Sequence, residues 1–168
     1  MGYCVVRTDK LMGTDVRSML ESVMYLGSDG ATKTAIENGN VLKVGALLDG
    51  EREIKVGSVP AASDALDSIV LVATPELMYD ERKHNLDEFR NEAGKVCRGY
   101  HLHSGDIFSV TKEGLDGVEQ PAIGNVVELK AGTKLNVAAS ATSGSTVIGK
   151  ILAIDVVGRY TYYVIQVA

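Results

Sequence analysis

The chain has 168 residues and a formal net charge of −5 at pH 7. This length fits one domain with an accessory segment, and the negative charge disfavours direct binding to nucleic acid. It holds 18 glycines and only three prolines, a composition typical of short strands joined by tight turns. No apolar run approaches the length of a membrane span, so we expect a soluble protein with no membrane partner.

The first predicted element is a helix in the stretch TDVRSMLESVMYLG. Thr14 or Asp15 suits the N-cap position, and Gly27 suits the position that ends a helix. The apolar side chains recur at helical spacing and would form one narrow face. They are Val16, Met19, Leu20, Val23 and Met24.

A glycine-rich link, GSDGATKT, follows this stretch and separates residues 1–35 from the rest of the chain. The segment is therefore predicted to be either a helix docked on its own domain or an arm that packs on a neighbouring subunit. As an arm it would contact a partner through Met19, Leu20 and Val23, and the body of the protein would fold without it.

Residues 36–168 are predicted to form the body, a small antiparallel β-barrel or sandwich. Asn38-Gly39 and Asp49-Gly50 are tight-turn dipeptides, and short strands recur about every ten residues around them. The stretch Ser68–Thr74 is apolar and rich in β-branched residues, which predicts a central strand buried on both faces. Gly158-Arg159 predicts a hairpin turn between two long final strands.

A charged excursion, comprising residues 75–95, interrupts this β pattern. Its stretch Tyr79–Lys95 carries nine Asp, Glu, Lys or Arg side chains, and Asn85 and Glu88 have the spacing of a capping box, which predicts a short helix ended by Gly94. One interpretation is a solvated face, and the other is a polar contact surface for a partner. The residue types that anchor interfaces are Tyr79, Arg82, Phe89 and Arg90.

The stretch GYHLHSGDIFSVT places His101 and His103 two residues apart, which puts both on one face of a predicted strand. Two imidazoles with Asp106 or Glu113 could hold a metal ion, as in the H-x-H strand of cupins. The alternative function is therefore a cupin-like β-barrel enzyme or ligand-binding protein that uses His101 and His103. Cupins also need a later histidine, and none follows His103, so we expect no metal site.

Nucleophilic catalysis is not indicated either. The chain has no G-x-S-x-G motif, and its two cysteines, Cys4 and Cys97, are far apart in sequence. Lys95 and Arg98 flank Cys97, but no orienting group accompanies it, so a structural thiol is predicted. We therefore expect no catalytic residue, no cofactor and no enzymatic activity.

Two stretches of the sequence carry a resemblance. IENGNVLKVGALLDGERE and AGKVCRGYHLHSGDIFSVT follow the turn-and-strand rhythm of the capsid decoration proteins of tailed bacteriophages, also called cement or auxiliary head proteins. The likeness is best over residues 36–111. It implies a structural virion protein with a β-barrel body, made in the host cytoplasm, that binds the capsid exterior and stabilises the shell. The implied partners are the major capsid protein and other copies of the chain, in a trimer or another small homo-oligomer.

Overall fold

A computed structural model describes residues 2–168, and the chain is mainly β, as predicted. Over this range twelve strands form two sheets. In chain order the strands are β1 Val6–Lys10, β2 Leu20–Tyr25, β3 Val41–Leu47, β4 Ile54–Ser58, β5 Ile69–Val72, β6 Cys97–His101, β7 Ile107–Thr111, β8 Leu115–Gly117, β9 Val126–Glu128, β10 Leu135–Ala138, β11 Val147–Val157 and β12 Tyr160–Val167.

Helical structure in residues 2–168 is limited to five single-turn 3-10 helices, so none is long and apolar enough to cross a membrane. They lie in the connections and at strand ends. Their bounds are Met12–Thr14, Arg17–Met19, Leu66–Ser68, Leu86–Glu88 and Lys112–Gly114.

One sheet is a closed barrel with the strand order β2-β4-β3-β5-β6. It closes where β2 pairs antiparallel with β6, with Glu21 opposite Gly99, while β2 and β4 run parallel. The other sheet has seven strands in the order β1-β7-β12-β11-β9-β10-β8. Both sheets are dominated by antiparallel pairs, which confirms the predicted barrel class.

The predicted N-terminal helix is wrong, because the stretch holds only the single 3-10 turn Arg17–Met19 and then continues as strand β2. Short apolar runs satisfy helical and extended spacing equally well, and pairing with β4 and β6 on either side decides for the strand. Val23 is fully buried inside the barrel, so the prediction that it contacts a partner is also corrected. The preceding strand β1 pairs with β7, with Val6 opposite Val110.

Strand β5 is buried on both faces, as predicted from the stretch Ser68–Thr74. Val70 and Val72 belong to the cluster inside the barrel. Ile69 and Leu71 belong to a larger cluster that also contains Phe108 of the seven-stranded sheet. This one strand therefore contributes to both hydrophobic clusters and lies between the two sheets.

The barrel interior is so narrow that two strand positions facing it must be glycine. A Cβ added at Gly57 would lie 2.5 Å from Val23 Cγ1, and one added at Gly99 would lie 2.6 Å from Val70 Cγ2. Few strands give a small barrel diameter, which leaves room for only part of the inward side chains. These glycines thus permit the close approach of β2, β4 and β6.

The last two strands form the hairpin predicted at Gly158-Arg159. Val157 pairs with Tyr160, and Gly158 has a φ of 60°, in the left-handed region that suits glycine. The hairpin is exposed near its tip, where Val156 keeps 74% of its accessible surface. Its two strands lie in the middle of the seven-stranded sheet, and its tip is one of the most exposed parts of that sheet.

Candidate functional site

The two histidines of the predicted strand have different neighbours. His101 ends β6, and its Nε2 atom lies 3.3 Å from Glu21 Oε1. Glu21 also accepts a hydrogen bond of 2.6 Å from Lys55 Nζ, so these three side chains join β2, β4 and β6 in one hydrogen-bonded cluster. His103 lies beyond the end of β6, in the connection to β7.

Asp106, considered as a further metal ligand, is buried and engaged by backbone groups. Its two carboxylate oxygens accept hydrogen bonds of 3.0 Å from the backbone N–H groups of Met12 and His103. It thereby fastens the β6–β7 connection to the segment after β1. Across residues 2–168, no three His, Cys, Asp or Glu side chains are grouped so that they could hold a metal ion.

Both cysteines are free and buried in the described chain. Burial raises the pKa of the Cys4 thiol and of the Cys97 thiol to about 12. Because the thiolate is the nucleophilic form, both groups are unreactive near neutral pH. This agrees with the structural role predicted for Cys97.

The charged excursion connects β5 to β6 and contains one 3-10 helix, Leu86–Glu88. The capping box predicted from Asn85 and Glu88 is present, and Glu88 Oε2 accepts a hydrogen bond of 2.8 Å from the Asn85 N–H. Backbone hydrogen bonds from Asn85 and His84 lower the pKa of the Glu88 carboxyl. The helix ends before Phe89 rather than at Gly94, which corrects the predicted C-terminus.

Two buried asparagines hold the ends of the excursion together. Asn38 accepts a hydrogen bond of 3.0 Å from the Thr74 N–H and donates one of 2.8 Å to the Thr74 carbonyl, at the start of the excursion. Near its end, Asn91 donates a side-chain hydrogen bond of 3.1 Å to Asn38 and exchanges two backbone hydrogen bonds with Ile36. We call this pair the asparagine clamp.

A third attachment involves Asp87 in the 3-10 helix of the excursion. Its carboxylate accepts hydrogen bonds from Arg159 Nη2 at 2.8 Å and from the Tyr160 hydroxyl at 3.0 Å. Its carbonyl accepts one of 2.8 Å from the Tyr3 N–H. The excursion is therefore fixed to both the N-terminal segment and the start of β12.

The side chains between these attachments are unusually exposed. Tyr79 retains 94% and Leu77 68% of its accessible surface. Tyr79, Phe89 and Arg90 line one small depression of about 150 Å³, so the structure brings together three of the predicted partner-binding residues. Leu77 was not among the predicted contact residues, although an apolar residue in so polar a segment indicates a contact surface.

The remaining predicted contact residues are placed differently. Arg82 is exposed and makes a two-pronged contact with Asp80, at 3.0 and 2.9 Å, which lowers the pKa of that carboxyl. Met19 ends the 3-10 helix before β2, and Leu20 begins β2 and packs in part against the larger cluster. A partner contact by Arg82, Met19 or Leu20 stays a prediction.

Comparisons of the chain with family models, curated proteins and solved structures found no match. Function must therefore be inferred from the residues themselves. The excursion is the candidate site because it combines exposed apolar and aromatic side chains with a fixed backbone.

Proposed function

We propose that the protein is a structural component of a phage particle that binds the outer surface of the capsid and stabilises the shell. The resemblance of residues 36–111 to decoration proteins supports this role. The observation that carries the proposal is the exposure of Leu77 and Tyr79 on a segment held at both ends by the asparagine clamp. Because the segment is already held at both ends, binding costs less backbone ordering, and the remaining entropic cost is that of the anchor side chains.

The energetics of such a contact favour the apolar and aromatic residues. Exposed ion pairs contribute about 0–1 kcal/mol each, so the Arg82–Asp80 and Arg90–Glu92 pairs add little by themselves. Burying Leu77, Tyr79 and Phe89 against the shell removes apolar surface from water, which stabilises the contact more than the ion pairs do. The charged neighbours then set the orientation of the contact.

Stabilisation of the shell follows from mass action. A protein that binds assembled capsid subunits, and not separate ones, shifts the assembly equilibrium towards the shell. Repetition over the lattice adds avidity when several copies are linked. No catalytic group is required, and the partner is the major capsid protein on the virion exterior.

Self-association is the second part of the proposal. The tip of the β11–β12 hairpin exposes Ile154, Val156 and Val157, which a trimer or another small homo-oligomer would cover. Analytical ultracentrifugation of the purified protein measures this directly. A strictly monomeric protein at high concentration would remove the oligomer from the proposal.

The capsid role is tested by adding purified protein to capsids from which it has been removed, and counting bound copies by cryo-electron microscopy. Leu77→Ala and Tyr79→Ala should each reduce occupancy while leaving the thermal melting of the free protein unchanged. Ile123→Ala is the matched control, because Ile123 is 66% exposed and Leu77 is 68% exposed. Wild-type occupancy for both excursion variants would contradict the proposed contact.

A further inference from the structure

A cleft of about 640 Å³ lies against the barrel, bordered by residues of β2, β4 and β6 and by the start of the excursion. This size is within the range of clefts that bind small molecules or short peptide segments. Its charged lining residues come from distant parts of the chain and bring more cations than anions to the cleft. They are Arg17, Glu21, Arg52, Glu53, Lys55 and Arg98.

The arginines of the chain divide into two groups by their partners. Arg7, Arg82, Arg90 and Arg159 lie outside the cleft, and each forms an ion pair with an Asp or Glu side chain. The other three line the cleft, and their guanidinium groups have neither an ion pair nor a hydrogen bond to any residue in the range 2–168. They are Arg17, Arg52 and Arg98.

The carboxylates of the cleft do not pair with these three arginines. Glu21 is already shared between Lys55 Nζ, at 2.6 Å, and His101 Nε2, at 3.3 Å. Glu53 also lines the cleft but lies within 4 Å of no cation in the described part of the chain. The cleft is thus locally positive in a protein whose net charge is −5. Such a local potential favours an anionic partner.

Apolar side chains in the same cleft indicate which class of anionic ligand it suits. Leu47 is 51% and Val96 39% exposed, and both lie among the lining residues. No aromatic side chain lines the cleft in residues 2–168, whereas single-stranded nucleic acids are bound by stacking on aromatic rings. A peptide that alternates carboxylates with apolar side chains matches both features of the lining.

We propose that this cleft binds an acidic peptide segment of another protein, with carboxylates on Arg17, Arg52 and Arg98 and an apolar side chain against Leu47 and Val96. Arginine suits this task because its planar group binds a carboxylate through two parallel hydrogen bonds. The barrel is closed, so the segment would be held by side chains rather than added to a sheet edge. The inference goes beyond the capsid role and does not depend on it.

The test uses an array of terminally blocked peptides made of glutamate and leucine in varied order, each beside a counterpart with glutamine in place of glutamate. Binding is measured by fluorescence anisotropy at low and high salt. We expect a subset of the glutamate peptides to bind, with affinity that falls as salt rises. Each of Arg17→Gln, Arg52→Gln and Arg98→Gln should weaken binding about tenfold, the effect of one charged hydrogen-bonded contact.

The matched control is Lys130→Gln, which makes the same change in charge on an exposed side chain of the β9–β10 connection. It should bind peptides as the wild type does. The proposal is overturned if no glutamate peptide binds better than its glutamine counterpart, or if oligo-deoxythymidine or inorganic phosphate binds the three arginines more tightly. It is also overturned if the arginine variants lose only self-association, since the occupant would then be a second copy.

Discussion

The closed barrel and the charged excursion are ordered by opposite means. The barrel is ordered by apolar burial, and its interior is so tight that Gly57 and Gly99 have no room for a methyl group. The excursion buries few apolar side chains and is ordered by hydrogen bonds that involve the side chains of Asn38, Asn91 and Asp87. Substitutions in the barrel interior should therefore change stability, whereas substitutions of the exposed excursion side chains should change binding to the shell.

Removal of residues 1–25 should have the largest effect. It deletes β1 and β2, opens the barrel between β4 and β6, and uncovers the interior cluster around Val70. We therefore expect loss of the cooperative thermal transition, the opposite of the folded body expected from sequence. Circular dichroism melts measure this, and a truncated protein that melts like the wild type would contradict the closed barrel.

Gly99→Ala should have the next largest effect. The new methyl group would lie 2.6 Å from Val70 Cγ2 in a packed interior, and overpacking of this kind costs about 1–3 kcal/mol. Gly45→Ala is the comparison and should cost less, because Gly45 is exposed and its new methyl group would come no closer than 3.2 Å, to the Val56 carbonyl oxygen. Chemical denaturation measures both changes. Val70→Ala has its own cost, because Val70 is fully buried, so the clash is read from a double-mutant cycle. The combined loss should be smaller than the sum of the two single losses, and an additive loss would argue against the clash.

Substitution of Glu128, at the end of β9, should have a smaller effect on stability, and this effect should depend on pH. Burial acts to raise the pKa of its carboxyl, but hydrogen bonds from Thr142 and Asn136 outweigh burial and hold the pKa below its ordinary 4.5. A carboxyl whose pKa is lower in the folded chain than in the unfolded chain stabilises the fold at pH values above 4.5. That stability is lost as the pH falls through the folded-state pKa. Glu128→Gln should therefore destabilise the protein at neutral pH and lose less stability than the wild type upon acidification.

Denaturation curves at several pH values measure this difference. The Glu119→Gln variant is the matched control, because it makes the same substitution at an exposed side chain in the connection between β8 and β9. Identical pH dependence for wild type and Glu128→Gln would show that Glu128 contributes nothing to acid sensitivity.

Asp87→Ala should have the smallest effect on global stability. It removes surface contacts with Arg159 and Tyr160, of a kind that contributes about 0–1 kcal/mol. Local order should respond more strongly, so trypsin should cleave faster after Arg82 and Lys83 in the excursion. Limited proteolysis followed by mass spectrometry measures this, with Asp116→Ala as the control. Unchanged cleavage would show that Asp87 does not order the excursion.

The features predicted correctly from sequence are those set by neighbouring residues. The apolar run of β5, the Gly158 turn and the Asn85–Glu88 capping box each depend on a few adjacent positions. Strand β2 could not be recognised, because its partners β4 and β6 lie far along the chain and the local pattern also fits a helix. The arginine cleft could not be recognised either, because residues near positions 17, 52 and 98 come together only when the chain folds.

The most direct test of the capsid proposal is a cryo-electron microscopy map of a decorated particle at side-chain resolution. We predict that Leu77, Tyr79 and Phe89 lie against the capsid protein, while the barrel strands keep the order β2-β4-β3-β5-β6. A map in which the charged excursion faces solvent, and another surface of the protein contacts the shell, would contradict the assignment of binding to the excursion.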